Sequence, residues 1–213
     1  MQIDLCIVKR YMKQFSIEEA VKFGWQTTKT NFKFLIKIIL IIMAAYILTS
    51  WISNALEEAP VLNVVASILF WVLHIVLDIG LVKIALKLVA GQKPELEDLY
   101  NHYPLFWKYL GGSILSGLII MGGLILLIVP GIYFAVKLQF VTYLIIDKEL
   151  GPIDAIKKSW KITNGNFWNL FLFGLVIVLI NVLGFLALVV GLLWAIPTAA
   201  IATAFVYRKL QKN

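Results

Sequence analysis

Six apolar runs alternate along this chain with three short polar segments rich in aromatic residues. The first segment opens at Ser16-Ile17-Glu18-Glu19, which reads as a capping box: the serine hydroxyl can accept an orphan backbone N–H while Glu19 reaches back to the cap. The pattern predicts an interfacial helix over about 16–29. Ile17, Ala20, Val21, Gly24 and Trp25 fall on one face, with Glu18, Glu19, Lys22 and Gln26 largely opposite, as suits a helix lying at a bilayer surface. Apolar runs then predict spans over about 34–53 and 61–87, separated by a turn containing Glu57, Glu58 and the breaker Pro60. The second run exceeds the roughly 20 residues needed to cross, so tilt or a protruding inner turn is expected.

The next segment, residues 91–108, predicts a second interfacial helix over about 94–103, with Pro94 at its first position and Leu96, Leu99, Tyr100 and Tyr103 as its apolar face. From Tyr109 to Ile146 the apolar stretch is too long for one crossing and about right for two. Pro130-Gly131 is the natural hairpin, giving spans of about 108–129 and 131–147. The third segment predicts an interfacial helix over about 152–164. Pro152 suits its first turn, Asp154 the positive end of its dipole, and Lys157, Lys158 and Lys161 the negative end, with Gly165 as the stop. Ile153, Ile156 and Trp160 are its expected apolar stripe. Residues 167–207 carry no formal charge. Two more spans are expected there, about 167–186 and 190–208, with a turn between Asn181 and Gly191.

Sliding the sequence by 135 positions lays Glu19–Trp25 on Asp154–Trp160, and Thr28–Phe32 on Thr163–Phe167. The first and third lead-in segments are therefore read as copies, with 91–108 a weaker third. The fold class expected is all-α: a single integral membrane domain over 1–213, with six transmembrane helices in three hairpin units, each preceded by an amphipathic interfacial helix. The turns near 54–62, at 130 and near 181–191 contain no Lys or Arg. The positive-inside rule then puts both termini and all three lead-in helices in the cytoplasm, in a prokaryotic inner membrane.

Composition agrees with this picture. The chain is 61% hydrophobic and 15% charged, whereas soluble domains are close to half apolar and a quarter charged. The net charge of +7 does not point to nucleic acid, since its lysines flank apolar runs instead of forming a water-exposed stripe. A lone Cys6 allows no intramolecular disulfide and no thiolate cage. The first 30 residues lack the apolar core and small-residue cleavage site of a secretory signal, so retention of the N-terminus is expected.

The segment Ala20–Trp25 followed by Asn31-Phe32, the helix opening at Pro130-Gly131-Ile132, the run Ala155–Trp160 with Gly165-Asn166, and Pro197 with Tyr207–Leu210 together resemble a group of largely uncharacterised prokaryotic membrane proteins. It includes the membrane domain found beside glycerophosphoryl diester phosphodiesterases and the YciC-type proteins. The resemblance implies a six-span fold and little chemistry. Phosphodiesterase activity in that group belongs to a separate soluble domain, so it is not carried over.

Candidate chemistry is sparse. Asp78 and Lys137 fall inside spans, where an ionisable group costs at least about 2.5 kcal/mol and normally finds a partner. They are expected to pair, either to fix helix packing or, with His74, to form a relay or ion path. Gly191, Ala195, Ala199 and Thr203 recur every fourth residue and suit close helix packing. Lys22, Lys29, Lys157, Lys158 and Lys161 could contact anionic lipid head groups or stand as solvated topology residues. No nucleophile, second acid or metal cluster accompanies Asp78, so an enzyme, a metal site and a cofactor are not expected. The expected function is a non-enzymatic component that organises membrane lipid, a protein partner or a second copy; the alternative is a small transporter or channel.

Overall fold

The computed structural model describes residues 15–187 and 191–212. Cys6 and the basic residues Lys9, Arg10 and Lys13 lie outside the described residues, as does the tip of the last expected turn, 188–190. Among the described residues the elements are all helical: α1 Ile17–Thr30, α2 Phe32–Ala55, α3 Pro60–Val89, 3-10 turns Leu96–Leu99 and Tyr103–Leu105, then α4 Phe106–Leu126, α5 Ile128–Leu138, α6 Val141–Lys148, α7 Pro152–Ile162, α8 Phe167–Leu186 and α9 Leu192–Gln211. Among the described residues five stretches are long and apolar enough to cross a membrane: Phe32–Ala55, Pro60–Val89, Leu96–Leu126, Ile128–Lys148 and Phe167–Leu186.

Several boundaries have local causes. Ser16 caps α1, its hydroxyl oxygen accepting the Glu19 N–H at 3.4 Å. The reciprocal half of the expected box is replaced, because the Glu19 carboxylate pairs with Lys209 at 2.9 Å. Gly91 and Gly165 take positive φ just past α3 and α7, the left-handed conformation that ends helices cheaply only at glycine.

Three expectations change. The hairpin expected at Pro130 instead turns at Leu127, whose backbone is extended. Pro130 then lies in the first turn of α5, where a missing N–H costs nothing. The 131–147 span is interrupted at Gln139-Phe140, leaving α5 and α6 as separate helices. The interfacial helix expected over 94–103 is two 3-10 turns. There Glu95 caps the first turn, while Asp98 accepts the Glu95 N–H at 2.8 Å.

The core gathers around α9. Its Ile201, Ala202, Ala204, Val206 and Tyr207 pack with Ile79, Ile84 and Leu86 of α3 and with Phe140, Leu144 and Ile145 of α6. By contrast, the far halves of α2 and α3 and the α4–α5 hairpin expose large apolar side chains, among them Trp51, Val61, Ile125 and Val129. Such a continuous apolar surface is incompatible with water at this extent and marks contact with a membrane or a partner.

Candidate functional site

Each lead-in segment docks on a helix of the bundle. α1 runs antiparallel to α9: Glu19 meets Lys209, Phe23 stacks on Phe205 at 4.6 Å between centroids, and the Thr198 hydroxyl donates to the Thr28 hydroxyl at 3.2 Å. A Cβ on Gly24 would stand 2.6 Å from the Thr198 carbonyl oxygen, so only glycine allows this approach. The buried side of α1 is Ala20, Gly24 and Thr28. In α7 and its cap the buried residues are Ala155, Ser159 and Thr163. These occupy the positions 135 residues further on. Small side chains line the protein-facing side because they let helices come close and leave hydroxyls free to bond carbonyls.

The expected faces are met in part: Ala20 and Gly24 of α1 are buried and Ile156 of α7 packs on the core, but other large residues turn away. Ile153 is 60% exposed, and Trp25 and Trp160 are also turned outward. Lys22, Lys29, Lys157, Lys158 and Lys161 are all exposed. Both helices thus have three sides: small residues on protein, an indole flank, and a basic flank.

Lys137 is 2% exposed. Its ammonium donates to Asn164 Oδ1 at 3.3 Å and lies 5.6 Å from the centroids of the Tyr133 and Trp160 rings, whose electron-rich faces help offset its lost hydration. The Lys137 carbonyl, released by the break after α5, accepts the Ser159 hydroxyl at 2.7 Å. The expected Asp78–Lys137 pair is not formed: among the described residues Lys137 has these partners, and Asp78 is exposed on α3. Asp78 is exposed between the buried Leu77 and Ile79 of α3, whereas Lys137 is held beside Asn164 and the Tyr133 and Trp160 rings. His74 stacks on Tyr46, 3.9 Å between centroids, with Nε2 3.5 Å from the Thr49 hydroxyl.

The small-residue stripe divides. Gly191 and Ala195 pack on Gly184 of α8, Ala199 is buried, and the Thr203 hydroxyl donates back to the Ala199 carbonyl. A second small face, Thr198 and Ala202, receives α1 and was not foreseen, although its four-residue spacing is visible in the sequence. Also unforeseen is the polar clasp joining α6 to α9: Asp147 pairs with Arg208 at 2.8 Å and accepts the Tyr207 hydroxyl at 3.0 Å, while the Gln211 amide donates to that hydroxyl at 2.6 Å. Asp147, the acid that ends an apolar run, is its signal in the sequence. Among the described residues no three His, Cys, Asp or Glu side chains gather as a metal-ligating group.

Among the described residues, an all-helical fold with five apolar stretches of spanning length fits the class of multi-pass membrane proteins. Residues 113–213 match the family model described as "Protein of unknown function (DUF975)", a region that includes Lys137, α7 and the α6–α9 clasp. Over 172 residues, 78% of this chain, the sequence is 26% identical to Uncharacterized protein Mb2590 of Mycobacterium bovis and 25% identical to Uncharacterized protein Rv2560 of Mycobacterium tuberculosis. Each alignment covers 53% of the relative, so the chain spans about half the length of the curated relatives it matches. No solved structure matches it.

Proposed function

We propose that this chain is a non-enzymatic multi-pass protein of a prokaryotic cell membrane whose lead-in helices organise lipid, or failing that a protein partner, at the cytoplasmic face. In this reading α9 is the sixth crossing, the three hairpin units are repeats, and both termini are cytoplasmic. The Lys- and Arg-free turns support that topology. The observation that carries the functional reading is the three-sided make-up of α1 and α7. Their small-residue sides are locked to protein, leaving indoles for the apolar–polar boundary and lysines for anionic head groups. The resemblance to the phosphodiesterase-associated membrane domain enters only as a six-span fold.

Energy transfer from tryptophan to a dansyl lipid tests this directly, because Trp25 and Trp160 sit on the exposed flanks. In reconstituted vesicles, transfer to dansyl-phosphatidylglycerol should exceed transfer to dansyl-phosphatidylcholine. Replacing Lys22, Lys29 and Lys157 by Gln should shrink the difference. Equal transfer to both lipids in the unaltered chain would remove lipid from the proposal and leave the protein partner.

One observation favours a second reading, a small transporter or channel. The α5–α6 break lies beside buried Lys137, and interrupted helices line substrate sites in many transporters. Labelling of Lys137→Cys by a small aqueous thiol reagent, in a Cys6→Ser background, would favour that reading; protection in folded protein would reject it.

A further inference from the structure

Between α7, the start of α8 and the last turn of α9 lies a cavity of about 310 Å³, lined by Lys158, Lys161, Asn164, Asn166 and Gln211, with Ile162 and Leu210 as its apolar wall. Among the described residues no carboxylate lines it. Two ammonium groups come from one side of α7. Asn166, the N-cap residue of the 20-residue helix α8, is only 5% exposed, yet its side chain makes no capping bond. The first backbone N–H groups of α8 are therefore left without a side-chain cap beside a buried amide, at the positive end of the helix dipole. Asn164 is held from behind, its oxygen engaged by the Lys137 ammonium. That fixes the amide so that its NH₂ is the end left for another acceptor.

The cavity therefore offers two positive charges, amide donors and a helix N-terminus. The ligand that satisfies this set is a compact dianion or monoanion with several oxygens. We infer that the cavity binds a phosphate group, carried either by an anionic phospholipid head group or by free phosphate. The inference deepens the lipid reading above by naming one site and one chemical group for it, and it rests on that reading where the phosphate belongs to a lipid.

The test uses the full chain purified in detergent, with phosphatidylglycerol and phosphatidylcholine offered as probes and retained lipid counted by native mass spectrometry. Lys158 and Lys161 are exposed, so Lys158→Gln with Lys161→Gln should fold normally. This double variant should retain about tenfold less phosphatidylglycerol. The double variant Lys33→Gln with Lys93→Gln removes the same charge at exposed positions that do not line the cavity and should stay within about twofold of the unaltered chain. Millimolar inorganic phosphate then separates the sources. Displacement of the lipid, or a rise in melting temperature that the cavity variant loses, assigns the site to phosphate in general. Cavity-dependent retention that phosphate does not disturb assigns it to the lipid head group. Equal losses in the two double variants would overturn the cavity and leave diffuse charge attraction standing. Absence of any preference for phosphatidylglycerol, together with no effect of phosphate, would overturn both.

Discussion

Gly24 shows how much one missing Cβ decides. The α1–α9 contact closes on the Thr198 carbonyl and on Ala202, neither of which can move without shifting the backbone of a buried helix. Gly24→Val should therefore destabilise the protein by about 2 kcal/mol, the usual scale of overpacking. Melting in detergent against Lys22→Gln, two positions away and exposed, would measure it; equal melting of the two variants would mean that α1 does not rest on α9. Asp98 makes a second residue-scale prediction. Burial pushes its carboxyl up, but the Glu95 N–H and the Lys87 ammonium outweigh that and hold it below the usual carboxylate range. A carboxyl depressed in the folded state contributes its full stability above its unfolded value of about 4, and loses it as pH falls through the folded value. Between pH 6 and pH 3 the unaltered chain should lose stability more steeply than Asp98→Asn, and parallel slopes would remove Asp98 from the acid response.

At the scale of elements, Glu149 ends α6 in the left-handed conformation with φ 52°, which costs a side-chain-bearing residue about 1 kcal/mol or more. Glu149→Gly should raise stability by about that amount less the entropy glycine adds to the unfolded chain, a net gain of about 0.5 kcal/mol. A fall in melting temperature would mean that the Glu149 side chain has a role of its own. The same distinction between backbone and side chain explains what could be read in advance. Apolar run length is dominated by the roughly 20 residues a crossing needs, so α2, α3 and α8 were legible nearly to the residue. The turn at Leu127 and the interruption at Gln139-Phe140 were not: the first closes on the near approach of Gly123 to Gly131, and the second depends on a carbonyl finding its donor elsewhere. Ser159 supplies one for Lys137 from 22 positions away. The lysines of α7 were legible as a basic flank, but the Asn166 and Gln211 contributions to the cavity come from separate elements, and no spacing joins them. Lys137 was expected to pair with Asp78; in the structure an amide and two aromatic rings stand in that place.

For the molecule as a whole, the docking of the lead-in segments forms a closed pattern. The turn Leu96–Leu99 rests on α3, with its backbone against Gly80, and α7 rests on α6 and α4, with Gly111 against Pro152. In both cases the segment folds back on a helix just before it in the chain. α1 instead rests on α9, at the opposite end of the sequence. The order of contacts therefore closes from last to first, as the proposed reading of three sequential units around one axis expects; α9 makes that closure with α1 and with α3. Thr28 and Thr198 meet there through their hydroxyls, 170 positions apart. Replacing both by Cys in a Cys6→Ser background should give a disulfide on mild oxidation, read as a faster-migrating monomer whose melting temperature falls back on reduction. A link across so long a loop stabilises by about 2 to 4 kcal/mol when its geometry is unstrained. Failure to link, in protein that still folds, would mean that α1 does not rest on α9. A disulfide-linked dimer would carry a different meaning: α1 would then dock on the α9 of a second copy, and the contact that closes one chain would be the contact that joins two.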